Sequence, residues 1–78
     1  MFKNRDLSVI AYASGWTLWQ YYTEDLLETV ELDGYFDKIK ELCATGDIII
    51  IVVKGNGKET AIRSILLEDG VVKLTKLV

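Results

Sequence analysis

The chain has 78 residues, half of them apolar, with a net charge of −3, a single cysteine and no histidine. One cysteine excludes a disulfide within the chain, and the lack of histidine removes the commonest general base and metal ligand. A chain of this length is expected to form one domain, residues 1–78. Its net negative charge provides no basic surface to attract phosphates, so we expect that it does not bind nucleic acid.

Two segments near the N-terminus, residues 7–13 and 16–22, are rich in β-branched and aromatic residues and are predicted as strands. Ser14 and Gly15 between them form a two-residue hairpin turn, because glycine can adopt a positive φ. Alternation along the second strand places Trp16, Leu18, Gln20 and Tyr22 on one face and Thr17, Trp19 and Tyr21 on the other. Neither face is polar, so we expect both to be covered.

Short helices are predicted between the second and third strands. Thr23 is suited to cap a helical turn that runs to Val30, with acidic residues in its first turn. Gly34 interrupts this turn, and a second helix is predicted over residues 35–44. Its apolar positions at helical spacing are Phe36, Ile39, Leu42 and Cys43.

The third predicted strand, Ile48–Val53, consists of six consecutive apolar residues. A strand with one solvent-facing side alternates apolar and polar residues, and this one does not, so we expect both of its faces to be covered. Domains this small usually gain stability from disulfides, metals or oligomerisation. Since the first two are disfavoured here, a second copy of the chain is the expected cover and the protein is predicted to be a homo-oligomer.

The C-terminal third is predicted to form two further strands. A hairpin loop over residues 54–58 leads into a strand that begins at Glu59 or Thr60 and ends at Leu67. A turn at residues 68–70 precedes the last strand, residues 71–77, which has lysines typical of a sheet edge. The predicted fold class is α+β: a small twisted five-stranded, mainly antiparallel sheet or partly open barrel, in the order ββ-α-βββ, with one or two short helices.

No catalytic, cofactor or metal site is predicted. Cys43 has no histidine to activate it and fits a buried apolar position. The glycines at 55 and 57 precede a β-branched segment and not the helix that a phosphate-binding loop requires. The acidic residues between 24 and 33 do not have the spacing of a calcium loop.

The chain is also expected not to enter a membrane. The apolar run at residues 48–53 is far shorter than the roughly 20 residues that a spanning helix needs. The first residues lack the apolar segment of a secretion signal. We therefore expect no membrane partner and no export by a standard signal.

Three sequence blocks, in order, resemble a family of small proteins encoded by bacteriophages and prophages. The blocks are Gly15-Trp16-Thr17-Leu18-Trp19-Gln20-Tyr21, Asp33-Gly34-Tyr35-Phe36, and Leu42 followed by Gly46-Asp47-Ile48-Ile49. The resemblance covers residues 7–53 and implies a virion or virion-associated protein without enzymatic activity. Family members often have histidine in place of Gln20, so no metal or catalytic role is assigned to that position.

The resemblance and the apolar pattern together predict a homo-oligomer, first of all a trimer, that decorates a capsid or serves as a tail or tail-fibre accessory. Its partners would be itself and other virion proteins, and it would be located in the virion, or otherwise in the bacterial cytoplasm. The expected interface residues are Trp16, Trp19, Tyr21, Tyr22, Ile49 and Ile51. The alternative is a small β-barrel module that uses the same aromatics to bind a carbohydrate, a single-stranded nucleic acid or a protein.

Overall fold

A computed structural model describes residues 1–55 and 58–77. It contains one five-stranded sheet with strands in sequence order. The strands are β1 (Leu7–Ala13), β2 (Trp16–Thr23), β3 (Ile48–Val53), β4 (Glu59–Glu68) and β5 (Val71–Lys76). All five predicted strands are confirmed, with boundaries that differ by a residue at most. The predicted loop between β3 and β4 includes Asn56 and Gly57, which lie outside the described residues.

The sheet is mixed and open. Adjacent strands are antiparallel except for β2 and β3, which run parallel. The three antiparallel pairs need only short connections, but the parallel pair needs a crossover, and residues 24–47 supply it. β1 and β5 form the two edges of the described sheet, so the barrel alternative is wrong, while the mainly antiparallel sheet is confirmed.

The crossover segment covers one face of the sheet with turns and very little helix. It contains an α-helix, α1 (Leu27–Val30), and one turn of 3-10 helix at Asp37–Ile39, and a further 3-10 turn at Asn4–Asp6 precedes β1. The helix predicted over residues 35–44 is therefore wrong, and the fold is β-rich with little helix. The backbone turns tightly after Ile39, because the Ile39 carbonyl accepts hydrogen bonds from the backbone N–H groups of both Leu42 and Cys43. The Cys43 side chain consequently points into the core. Leu42, one of the apolar positions of that predicted helix, is 68% exposed.

Aromatic rings fill the space between this cover and the sheet. Tyr21 of β2 is completely buried, with Phe2 stacked on it at 5.4 Å and Phe36 against its ring edge-to-face at 5.1 Å between centroids. Aromatic pairs with these offsets stabilise a core beyond the area they bury. The core therefore joins the N-terminal segment, β2 and the crossover into one unit.

Asp47, at the end of the crossover, fixes where β3 begins. Its carboxylate is almost fully buried and accepts hydrogen bonds from the Thr17 backbone N–H (3.0 Å), the Trp19 indole Nε1 (3.0 Å) and the Ala44 backbone N–H (3.1 Å). A buried charge is tolerated only when such donors replace water. These bonds align β3 beside β2 in parallel register.

Candidate interaction surface

The two faces of the sheet differ in what covers them. Along β3, burial alternates although the sequence does not: Ile49, Ile51 and Val53 are buried, whereas Ile48, Ile50 and Val52 are half-buried. The first set faces the crossover segment and belongs to the core cluster. The second set faces away from it, where the described chain provides no second layer.

We call this second side the open face. Strand register aligns its members across β2 to β5. They are Trp16, Leu18, Gln20 and Tyr22 of β2, Ile48, Ile50 and Val52 of β3, Thr60, Ile62, Ser64 and Leu66 of β4, and Val71, Lys73 and Thr75 of β5.

The centre of the open face is apolar and uncharged. The row Gln20, Ile50 and Ile62 crosses its middle, and Ile62 is 47% exposed. Charges lie only at its margins. Lys73 is paired with Glu68 at 2.9 Å on the β5 side, and the Lys54 Nζ lies 4.6 Å above the Tyr22 ring at the opposite end. This pattern, an apolar centre with a polar rim, is typical of a protein interface.

The six expected interface residues divide between the two faces. Trp16 and Tyr22 lie on the open face, 38% and 41% exposed. The other four are buried inside the chain itself, on the covered face: Trp19, Tyr21, Ile49 and Ile51. These four are core residues, because the crossover segment covers them and no second copy is needed to do so.

Ile50, Ile62 and Leu66 of the open face are not among the interface residues predicted from the sequence. Ile50 belongs to the apolar run that marked β3, but the two sides of that run look alike until the cover of the sheet is known. Ile62 lies directly opposite Ile50 in the antiparallel pair, so pairing β3 with β4 from the loop between them would have placed both on one face.

A groove of about 320 Å³ on the covered side is lined by Leu26, Leu27, Glu28, Glu31 and Glu59. Its three carboxylates make it acidic, and Glu31 is paired with Arg63 of β4.

Burial raises the pKa of the Cys43 thiol, and the nearby Asp47 adds to this, so the thiol stays protonated near neutral pH and is a weak nucleophile.

Hydrogen-bonded hydroxyls surround Asp25 at the edge of the aromatic core. The Tyr35 hydroxyl donates to Asp25 Oδ2 at 2.5 Å and lies 3.0 Å from the Tyr21 hydroxyl, and the Met1 amino group pairs with the same carboxylate. These contacts, the amino group first and Tyr35 second, lower the pKa of Asp25. Burial and the bond to Asp25 raise the pKa of Tyr35.

Within residues 1–55 and 58–77, no three potential metal ligands of the Cys, His, Asp or Glu types lie close enough together to hold an ion. In the same ranges, no helix has the length and apolar character needed to cross a membrane. Comparison with family models, with curated proteins and with solved structures finds no match for the chain.

Proposed function

We propose that this protein is a non-enzymatic, homo-oligomeric structural protein, of the virion accessory type, that assembles through its open face. The observation that carries the proposal is the uncharged apolar centre of that face, which the chain's own crossover segment leaves uncovered. Capsid decoration is the first role proposed and a tail or tail-fibre accessory the second.

The size of the open face fits a second copy as its occupant. With strands about 4.8 Å apart and two residues per roughly 6.7 Å of strand, the face covers about 450 Å² in projection. Two copies packed face to face would bury roughly 1,000 Å² or more of accessible surface in total, because protruding side chains add to the projected area. Specific protein interfaces begin at about this size. The trimer that we propose would turn the open faces of three copies toward a common axis.

The resemblance to phage proteins supports the virion part of the proposal. In the structure its blocks meet in one place, because Asp47 bonds to Thr17 and Trp19, and Phe36 packs on Tyr21. The blocks therefore supply core contacts of this chain and do not mark a chemical site. A fold maintained by its core and left apolar on one face is suited to assembly.

The first test measures the mass of the purified chain by light scattering over a hundredfold dilution, together with two variants. Ile62→Lys places a charge at the centre of the open face and is expected to lower the mass of the oligomer. Leu42→Lys is the matched control, because Leu42 is exposed on the covered side of the molecule. It is expected to keep the oligomer.

A native chain that remains a monomer at high concentration would overturn the proposal, and so would an oligomer that Ile62→Lys leaves intact. Circular dichroism of both variants shows whether they are folded. For the virion role, particles produced by a host that carries the gene are purified and analysed by mass spectrometry. The chain is expected in them at many copies, and its absence would overturn the virion assignment.

The binding-module alternative has weaker support from the geometry. A stacking platform needs aromatic rings side by side, whereas Trp16 and Tyr22 lie at opposite ends of the β2 face, about 20 Å apart along the strand. Lys54 already occupies one side of the Tyr22 ring. Titration of the tryptophan fluorescence with oligosaccharides and oligonucleotides tests this alternative, and a saturable change would favour it.

A further inference from the structure

The two edges of the sheet differ in how they are protected. At β5, the outward backbone groups of Val72 are already bonded: its carbonyl accepts from the Gly34 N–H (2.9 Å) and its N–H donates to Asp37 Oδ1 (2.8 Å). Lys73 and Lys76 add charge to the same edge. Covered backbone and lysines are the usual means by which proteins prevent edge strands from pairing.

β1 has neither form of protection. Its seven residues, Leu7–Ala13, include no charged residue and no proline. The strand is exposed along nearly its whole length, and Tyr12 is 80% exposed. Such an edge offers a row of free N–H and C=O groups to another extended strand.

From this asymmetry we propose that β1 pairs with β1 of a second copy, antiparallel across a two-fold axis, an inference that rests on the proposed self-association. Of the two edges that a second copy presents, β5 is blocked at Val72, so β1 is the one available to pair. An uncharged strand meets itself without like-charge repulsion, and antiparallel pairing of identical strands is self-complementary.

Pairing at β1 is also continuous with the open face. The β1 residues that register with the open-face side of β2 are small: Ser8 lies opposite Gln20, Ala11 opposite Leu18 and Ala13 opposite Trp16. The β1 residues in register with the open face are therefore small, and two sheets joined at this edge would bring their open faces side by side. The bulge between Val9 and Ala11 limits the ladder, because it twists the strand at Ile10.

The direct test is amide hydrogen exchange of residues 7–13, measured residue by residue by NMR at low and high chain concentration. Edge pairing bonds the outward N–H groups of β1, which face packing alone does not touch. We expect these alternate amides to exchange at least tenfold more slowly at high concentration. The Val72 amide, already bonded within the chain, is the internal control and is expected to be insensitive to concentration.

Disulfide trapping provides a second, independent measurement. The native Cys43 is buried, so an engineered cysteine is the accessible thiol in each variant. Residues 7–13 are replaced by cysteine one at a time, and Lys76→Cys, on the β5 edge but outside the open face, serves as the control. A residue beside the two-fold axis faces its own copy closely enough to form a disulfide. We expect one or two adjacent β1 positions to cross-link and the control not to.

The outcomes separate this inference from the proposed function. If Ile62→Lys abolishes assembly while β1 shows neither slowed exchange nor cross-links, the edge inference fails and the open-face proposal stands. If β1 is protected and cross-linked while Ile62→Lys keeps the full mass of the native oligomer, the edge inference stands and the open-face proposal fails. Protection that appears only when purified particle proteins are added, and not on concentrating the chain, would overturn the second copy as the occupant.

Discussion

Asp47 connects three parts of the chain that are distant in sequence. One carboxylate accepts from the start of β2, from the Trp19 indole and from the backbone at Ala44, while the Asp47 carbonyl accepts from the Ile65 N–H at 2.8 Å. A hydrogen bond to a charged acceptor contributes more to folding stability than one to a neutral acceptor, and a buried donor without a partner lowers that stability. The sequence showed Asp47 only as the residue that precedes an apolar strand.

We predict that Asp47→Asn lowers the free energy of unfolding by about 2 to 3 kcal/mol, because the amide NH₂ faces donors where the carboxylate accepts. Urea unfolding followed by tryptophan fluorescence measures the loss. Asp33→Asn, at an exposed carboxylate, is the control and is expected to change stability by less than about 0.5 kcal/mol. Equal stability of the native chain and Asp47→Asn would show that these bonds are not needed.

Asp25 makes the fold sensitive to acid. The pKa of Asp25 is lower in the folded protein than in the unfolded chain, where it is near 3.8. The stability that ionised Asp25 contributes is therefore complete above this unfolded value and is lost as the pH falls through the folded pKa. We therefore predict that the native chain loses stability below about pH 4 more steeply than Asp25→Asn, which cannot titrate. Urea midpoints at pH 6, 4 and 3 measure the difference. Parallel pH profiles would contradict it.

At the scale of elements, the crossover is joined to β5 by one tight turn. Gly34 has a φ of +86°, and a Cβ there would lie 3.2 Å from the Asp37 Oδ2, in the carboxylate that accepts from Val72. The turn thus both reverses the chain and covers the β5 edge. Protection of that edge depends on a glycine in the cover layer, far from β5 in sequence.

We predict that Gly34→Ala destabilises the protein more than Gly15→Ala. Both glycines have positive φ, which costs an alanine about 1 to 2 kcal/mol, but the space beside Gly15 is empty. Displacing Asp37 adds about 1 kcal/mol for the lost hydrogen bond to Val72. Urea unfolding measures the difference, and faster exchange of the Val72 amide in Gly34→Ala identifies its cause. Equal losses in the two variants would exclude a role for Asp37.

For the whole molecule, the central property is that one layer of turns covers one face of one sheet. The chain is long enough to cover the side that contains Tyr21, Ile49 and Ile51, and the side that contains Ile50 and Ile62 stays open. A domain of this size is only marginally stable by itself. Covering the second face by association would add stability that depends on concentration.

We accordingly predict that the thermal midpoint of the native chain rises with chain concentration, because association with the folded state stabilises it by mass action. The Ile62→Lys variant is expected to show a smaller rise with concentration and to melt at a lower temperature than the native chain. Differential scanning fluorimetry over a hundredfold concentration range measures both. A midpoint of the native chain that does not change with concentration would contradict the proposed assembly.

The sequence by itself determined the five strands, the hairpin at Gly15 and the edge position of β5, because alternation and turn residues are local signals. Only the tertiary structure decided which face of β3 is covered, that Leu42 points outward, and that Asp47 anchors three segments. A run of six apolar residues shows no difference between its faces. The crossover chooses one of them through contacts between residues far apart in sequence, and this choice leaves the open face free.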